Sequence, residues 1–591
     1  MGGATRVAVI GAGPAGLFLA RLLGHGLPGT RIDVYERGRP GDGSGFGVAL
    51  TERTLRDMTM WDPAVAARLG RVVRSLSAIE LRLPGGSLRY DGFPMSTVSR
   101  TVLLALLVEE ARRVGVRFHH GSDVQVSDLD ADVIVLADGA RSTNRSDRAV
   151  AFGTTVSSGA ARYIWLGAAA DVGDAATMFF VPTRYGPMAA HVYACGAGPS
   201  TVVVELDEQT WRRAGLDAMT RPGGSPGEIG ADGLALLDDV FATRIGAPLV
   251  SNRSRWARFD VVTNRRWSDG NVVLVGDAAH TAHFTVASGT TMALADAAAL
   301  AAALCEHDSV SAALAAYEQA RKGPVARVQR VAEPSMRWWE TYGSRLHLPP
   351  AEFGLHFISR STAVGFRSLL RRCPARLAEA EAAYRAAAGS ARTGTARHAV
   401  AEPLTVGALR LPNRLLHLVG TDVGRPDGSP PDGSDDGPGL RPAATLRPLP
   451  SDPVVDRWAP GMAGRLTARA GSPTLRVVAV APPEPEATRT DWESALERVR
   501  ALRVRGVDIV LLLPALAVPD WWERAVEFGG RIRAETAMVV AGCVPEDWAI
   551  DLCRDLSTDT WTERVHLALI TGRLDLVAQW HGLAAAAATP R

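Results

Sequence analysis

The chain has 591 residues, 47% of them hydrophobic, and a formal net charge of +2 with acids interleaved among its arginines. That length and apolar content allow two or three cored domains, and the near-neutral balance excludes an electrostatic footprint for nucleic acid. Five cysteines without a CxxC spacing, no apolar run of about 18 residues and no cleavage-type signal before the first strand predict a soluble, cytoplasmic protein with reduced thiols, no metal and no membrane contact.

The first predicted elements are a strand, a turn and a helix. Residues 7–10 are an unbroken apolar run that reads as a buried parallel strand, and 17–23 carry helical periodicity. Between them lies Gly11-Ala12-Gly13-Pro14-Ala15-Gly16. Its glycines stand where a tight turn, a close approach to a pyrophosphate and helix–strand packing need them, so Gly11, Gly13, Ala15 and Gly16 are assigned to a dinucleotide held at the helix N-terminus. A second strand, 31–35, ends at Glu36, 20 residues after Gly16, where a carboxylate hydrogen-bonds a ribose diol, with Arg37 beside it.

Further along, 76–83, 87–90, 162–166, 178–181, 189–193 and 201–206 read as strands of a mostly antiparallel sheet, and Arg100 opens a helix over 101–114. The strand 133–137 leads into Asp138-Gly139-Ala140-Arg141-Ser142-Thr143-Asn144-Arg145. A last buried strand, 271–275, precedes Gly276-Asp277. Asp277 lies at that strand's C-terminal end, where open α/β sheets place ligand groups. A carboxylate there accepts ribityl hydroxyls, which points to a flavin dinucleotide. An Ala-rich helix begins near Ser288-Gly289, and its N-terminal dipole would face the flavin's pyrimidine edge. Residues 324–372 read as a helical layer containing Trp338-Trp339. An Ala-rich helix follows at 378–397, then a Gly/Pro/Ser/Asp linker at 420–439. Strands at 475–480, 509–513 and 538–541 alternate with helices at 491–504, 520–533 and 546–555.

The three signatures, in this order, resemble those of the class A flavoprotein monooxygenases, the single-component aromatic hydroxylases. Ser44-Gly45-Phe46-Gly47-Val48, Tyr163-Ile164-Trp165-Leu166-Gly167, Ala190-His191-Val192-Tyr193, Glu208-Gln209-Thr210-Trp211 and Asp277-Ala278-Ala279-His280-Thr281-Ala282-His283-Phe284 are similar to the salicylyl-CoA 5-hydroxylases and anthraniloyl-CoA monooxygenases, over nearly all of residues 5–385. The resemblance implies FAD, NADH or NADPH as a transient reductant, dioxygen, and hydroxylation of an electron-rich ring through a flavin C4a-hydroperoxide. No second G-x-G-x-x-G follows a strand, so the nicotinamide has no Rossmann domain of its own. The implied substrate is an ortho-hydroxy- or ortho-aminobenzoyl thioester of coenzyme A or a carrier protein, hydroxylated para to the donor group. A free aromatic, indole or polyketide intermediate, and a non-catalytic flavin-binding scaffold, are the alternatives.

By the same resemblance Arg100 reaches the flavin phosphates or ribityl chain, and Asp138, Gly139, Gly276, Asp277, Ser288 and Gly289 line the cofactor. A base that raises the ring's nucleophilicity would be His283, His191 or Tyr193. Phe284, Trp165 and Phe179 would contact the substrate. The wider class usually has Pro at 284, Gly at 287 and Asn at 291. Ala287 puts a methyl where glycine permits close approach, which points to weaker FAD retention.

Residues 402–414 look like the opening of an old-yellow-enzyme barrel. A complete barrel takes about 250 residues; fewer than 190 remain after Glu402, and the paired His/Asn ligands of those reductases are missing. A degenerate remnant without FMN is expected. The fold class is therefore α/β. A Rossmann-like FAD-binding domain comes from 1–75, 96–150 and 255–320, with an inserted, mostly antiparallel substrate sheet at 76–95 and 151–254. A helical layer occupies 321–392, a linker with the barrel-like opening 393–452, and a truncated βα, TIM-barrel-like domain 453–585.

Overall fold

The computed structural model describes residues 6–39, 45–196 and 198–360 and, beyond them, parts of 364–383, the helix Arg489–Val504 and the short strands named below. Two units divide the chain, Met1–Ala363 and Val364–Arg591.

The first unit is built on a six-stranded sheet in the order Ser268–Asp269, Val272–Leu274, Val133–Leu136, Arg6–Ile10, Arg31–Glu36, Arg117–His120. All neighbours are parallel except the first pair. Strands buried on both faces must be apolar throughout, as Val133–Leu136 and Val272–Leu274 are. Register then does what sequence spacing cannot. Ile10 pairs with Tyr35 and with Leu136, and Leu136 with Leu274. Parallel pairing so aligned brings Gly11, Asp138 and Gly276 to one sheet edge from widely separated segments.

The helix Pro14–Gly26 starts at that edge, with proline in its first turn and no side-chain cap on its free N–H groups. Gly11 has φ +108, and a Cβ there would lie 2.4 Å from the Ala137 carbonyl oxygen. A Cβ on Gly16 would lie 2.2 Å from the Gly11 carbonyl oxygen. Around Gly13 only the Ala137 oxygen comes near, at 3.7 Å. Two glycines thus permit close backbone packing, and the third leaves room for a ligand.

A second sheet of eight strands runs Leu249–Val250, Arg162–Ala168, Ser200–Leu206, Gly186–Tyr193, Ala175–Thr183, Arg74–Leu83, Gly86–Ser99, Gly47–Leu50. One contact, Ala175–Thr183 with Arg74–Leu83, is parallel and the others are antiparallel. One face, carrying Ile164, Leu166, Ala190, Val192, Val202 and Val204, forms a core with Leu237, Phe241 and Ile245 of the helix Ala231–Ile245. Strand alternation leaves Tyr163, Trp165, His191, Tyr193 and Glu205 on the opposite face.

Trp338 and Trp339 are buried and pack around Phe180 with Tyr342, Phe353 and Phe357, so the Trp pair belongs to a helical core layer. The helix Val310–Thr341 runs unbroken through 320/321, and the strand Gly86–Ser99 continues past residue 95. Among the described residues no helix is long and apolar enough to cross a membrane.

In the second unit, Leu404–Val406 and Leu409–Leu411 form a two-stranded antiparallel sheet. Leu415–Leu418, Ala444–Pro448, Ala463–Thr467, Leu475–Val480, Ile509–Leu512, Val539–Val544 and Leu567–Ile570 close into a ring. Both neighbours of Ala463–Thr467 pair antiparallel to it, whereas a (β/α)8 barrel is parallel throughout. The helices expected at 520–533 and 546–555, and the linker at 420–439, lie outside the described residues.

Candidate active site

The strand edge supplies the cofactor side. Glu36 accepts hydrogen bonds from the Ala12 N–H (2.9 Å) and the Gly38 N–H (2.8 Å), so it clamps the glycine turn where the second strand ends. Arg37 is exposed beside it. Asp138 follows the strand Val133–Leu136; burial pushes its carboxyl up against the Ser142 hydroxyl's pull, and its Oδ1 is buried with no partner. Gly139 has φ +89 with open space around it. Arg145 closes the motif by donating to the Ala278 carbonyl (3.1 Å) and the Ala140 carbonyl (2.6 Å), which ties the middle signature to the last one.

Arg100 opens the helix Arg100–Arg113, and its own N–H donates to the Phe46 carbonyl at 2.7 Å. Burial lowers its guanidinium's proton affinity, while Asp277 and Glu36 oppose that shift. Arg100 is therefore within electrostatic reach of the two carboxylates that the sequence assigned to opposite ends of the cofactor. Asp277 is solvent-exposed yet surrounded by protein, as a side chain on the wall of a recess would be. Burial pushes its carboxyl up, and His280 and Arg100 draw it partly back.

Behind Asp277 stands a residue that sequence reasoning left without a role. Asp296, fully buried in the helix Gly289–Glu306, accepts from the Gly276 N–H (3.2 Å), pairs with His280 Nε2 (2.7 Å) and takes Arg321 Nε (2.7 Å). Burial alone would push this carboxyl up; His280 and Arg321 outweigh it and hold it below the usual range. The available signal was a lone acid among alanines and leucines, since a carboxylate in an apolar helix must find partners. At that helix's start Ser288 Oγ is buried and unpartnered, Gly289 is open, and Ala287 adopts φ 52, ψ 38.

The sheet side meets the loop between Asp277 and Ser288. The Phe284 ring lies 5.0 Å from Tyr163, 6.2 Å from Trp165, 5.8 Å from His191 and 4.3 Å from His283, centroid to centroid. His191 Nε2 is 3.1 Å from Glu205 Oε2, and His283 Nε2 is 3.6 Å from Glu205 Oε1. Burial, with Arg360 and His283 adding to it, drives His191 well below its ordinary value. Burial and Arg360 hold His283 at about 3. Burial and Glu340 push the Glu205 carboxyl well up, with Arg360 opposing. Both imidazoles therefore rest neutral. Tyr163, whose phenol burial pushes up to about 12, is within electrostatic reach of both Glu205 and Asp277.

Two candidates are corrected. Phe179 lies in the core behind the sheet with Ile164 and Leu166, because side chains alternate along a strand and Phe180 takes the other direction. Tyr193 shares the face with His191, but its hydroxyl donates to the Gly47 carbonyl (3.2 Å) and burial raises its phenol. It anchors the strand Gly47–Leu50 and is a poor base. Glu205 and Tyr163 were missed as site residues, although Glu205 is the single charge in Ser200–Leu206.

These residues fit FAD. The free helix N-terminus beside open Gly13 suits a pyrophosphate, and the orphaned Asp138 Oδ1 and Ser288 Oγ, with Asp277 on its recess, await polar partners.

A family model described as "FAD binding domain" matches residues 4–332. The chain is 40% identical over 428 residues to a salicyloyl-CoA 5-hydroxylase of Streptomyces sp, covering 71% of this chain and 80% of that protein. It is 37% identical over 335 residues to a 3-hydroxy-4-methyl-anthranilyl-[aryl-carrier protein] 5-monooxygenase of Streptosporangium sibiricum, covering 56% of this chain and 89% of that one. Among solved structures, 2-methyl-3-hydroxypyridine-5-carboxylic acid oxygenase aligns with a TM-score of 0.48 at 20% identity, over 63% of this chain and 98% of the other. The matched domain and the shared sequence establish that this chain belongs to the FAD-dependent aromatic monooxygenases.

Proposed function

We propose that this enzyme hydroxylates an ortho-hydroxy- or ortho-aminobenzoyl thioester, carried on coenzyme A or a carrier protein, at the ring position para to the donor group. NADH or NADPH serves as the reductant and dioxygen as the oxygen source. Two relatives named for acyl-thioester substrates support the thioester. The observation that carries the reading is the juxtaposition, around Phe284, of an aromatic wall with two neutral imidazoles, directly beside the loop joining Asp277 to Ser288.

FAD, when bound, supplies the activation of dioxygen. The chain's residues bind and orient. Glu36 holds the adenosine ribose, the glycine-turn N–H groups the pyrophosphate, and Asp277 the ribityl hydroxyls. The free N–H groups at Ser288 and Gly289 offer a positive helix end to the pyrimidine edge. Trp165, Tyr163 and Phe284 exclude water and hold the arene by its faces. His191 or His283, neutral at pH 7, accepts a proton or hydrogen bond from the donor group and so enriches the ring in electrons.

The test is anaerobic addition of NADH or NADPH with and without salicyloyl-CoA, anthraniloyl-CoA or the free acids, followed by oxygen. Thioester-stimulated bleaching of the flavin and a product heavier by one oxygen atom are expected. Oxygenation of the free acids alone would replace the thioester reading, and flavin that no aromatic causes to bleach would remove the enzymatic one.

A further inference from the structure

The polar groups around the Phe284 ring are neutral. His191 and His283 rest uncharged, and burial pushes the Glu205 carboxyl toward its uncharged form as well. The cation within reach of all three is Arg360, and each nitrogen of its guanidinium already donates to the protein: Nε to Ser335 Oγ (3.1 Å), Nη1 to the Phe357 carbonyl (2.7 Å) and Nη2 to the Thr285 carbonyl (3.0 Å). The Phe357 ring covers its face at 4.2 Å. Arg360 thus offers no open fork to a carboxylate on the arene, and a charge buried without a partner is costly. An acyl thioester brings no charge to that position.

Arg141 lies outside this group. The strand Val133–Leu136 leads into the turn that holds it, and that turn is fixed on both sides. The Ser142 N–H donates to the Gly139 carbonyl (3.1 Å), Ser142 Oγ accepts from the Arg145 N–H (3.0 Å), and the Arg145 guanidinium bridges the Ala140 and Ala278 carbonyls. The backbone at Arg141 is therefore docked against the stretch that continues to His283 and Phe284. Its side chain is exposed. Arg145 is committed to carbonyls and Arg148 to Asp269, whereas the Arg141 guanidinium makes no hydrogen bond or ion pair among the described residues. Its charge still reaches the Tyr163 phenol, whose ring lies 5.0 Å from Phe284. An exposed cation beyond the aromatic wall suits an anion carried on an arm of the substrate, not one attached to its ring.

Resting on the functional reading above, we infer that Arg141 grips a phosphate of the thioester's handle, so that the enzyme selects an uncharged acyl group within the wall and an anionic arm outside it. The planar guanidinium matches two phosphate oxygens at once, and nothing in the protein competes for it. The phosphate is either the one ending the pantetheine arm, which coenzyme A and carrier proteins share, or one on the nucleotide part of coenzyme A. Arg141 meets the substrate away from the reacting ring and is thus a specificity residue.

The experiment is Arg141→Gln, assayed with salicyloyl-CoA, salicyloyl-phosphopantetheine and salicyloyl-N-acetylcysteamine, which share the acyl group and differ in their phosphates. The KM for salicyloyl-CoA should rise about tenfold or more, the scale of a charge-assisted hydrogen bond, with kcat changed by about twofold or less. The KM for the N-acetylcysteamine thioester, which has no phosphate, should change by about twofold or less on the same argument. A rise shared by the phosphopantetheine thioester assigns the phosphate to the arm, and a rise confined to salicyloyl-CoA assigns it to the nucleotide. An equal rise for the three thioesters, an unchanged KM for salicyloyl-CoA, or a rise in the KM for NADH or NADPH alone overturns the proposal. Flavin content and melting temperature report the fold; should the variant fail there, Arg141→Met is read by the same comparison of thioesters. A parent chain that hydroxylates no thioester overturns the functional reading; a parent that does, beside an unaffected Arg141→Gln, overturns this inference alone.

Discussion

Ala287→Gly is expected to stabilise the flavin-binding unit, the reverse of what glycine does elsewhere in the same segment. Ala287 ends the turn Phe284–Val286 at φ 52, ψ 38, and among the described residues only Arg253 shares a positive φ without being glycine. That conformation costs an L-residue roughly 1–2 kcal/mol, and glycine avoids the cost. Against this, glycine loosens the unfolded chain by about 0.4–1 kcal/mol. The difference leaves a gain of about 0.5–1 kcal/mol, a rise of roughly 1–3 °C in the melting temperature. The assay is thermal unfolding of the apoprotein followed by tryptophan fluorescence, beside Ala299→Gly as control. Ala299 lies inside the right-handed helix Gly289–Glu306, where glycine should cost about 1 kcal/mol. Opposite signs for the two variants are expected, together with FAD binding at least as tight in Ala287→Gly. Equal losses would refute the argument, since Ala287 would then carry no left-handed strain.

Asp277→Ala and Asp296→Ala should separate binding from support. The first removes a carboxyl that burial already disfavours, so FAD retention is lost on gel filtration while the apoprotein melts at or above the parent's temperature. The second strands His280, Arg321 and the Gly276 N–H, and unfolding in urea should show a loss of about 3–5 kcal/mol, flavin loss following from it. Glu208 receives Arg162, Arg212 and Arg258, and Arg162 first among them holds its carboxyl down at about 2. Its folded value lies below the unfolded one, so the stabilisation is full above about pH 4.3 and fades as pH falls toward the folded value. Glu208→Gln should cost about 1 kcal/mol at pH 7 after allowance for solvent screening. A penalty that persists unchanged at pH 2.5 would show that the arginines are not its cause.

The sequence by itself determined the parts whose chemistry is local. A strand, a tight turn and a helix start impose Gly11, Gly13 and Gly16 within six residues, and the acid ending the next strand falls at a fixed distance because strand and helix lengths fix it. The dinucleotide turn and the buried parallel strands were legible on that basis, and the family through the resemblance of its motifs. Tertiary structure decided what depends on direction and on neighbours from distant segments. Side chains alternate along a strand, so one residue separates Phe179 in the core from Phe180 in the helical layer, and only register tells which faces the site. The Tyr193 hydroxyl turned out to be occupied by a backbone carbonyl at Gly47. Glu205, His191, His283 and Arg360 come from four separate stretches of chain, as do Asp296 and its partners. Burial and Coulomb attraction act through space, and a lone acid in an apolar strand or helix acquires its meaning only when folding supplies the groups that face it.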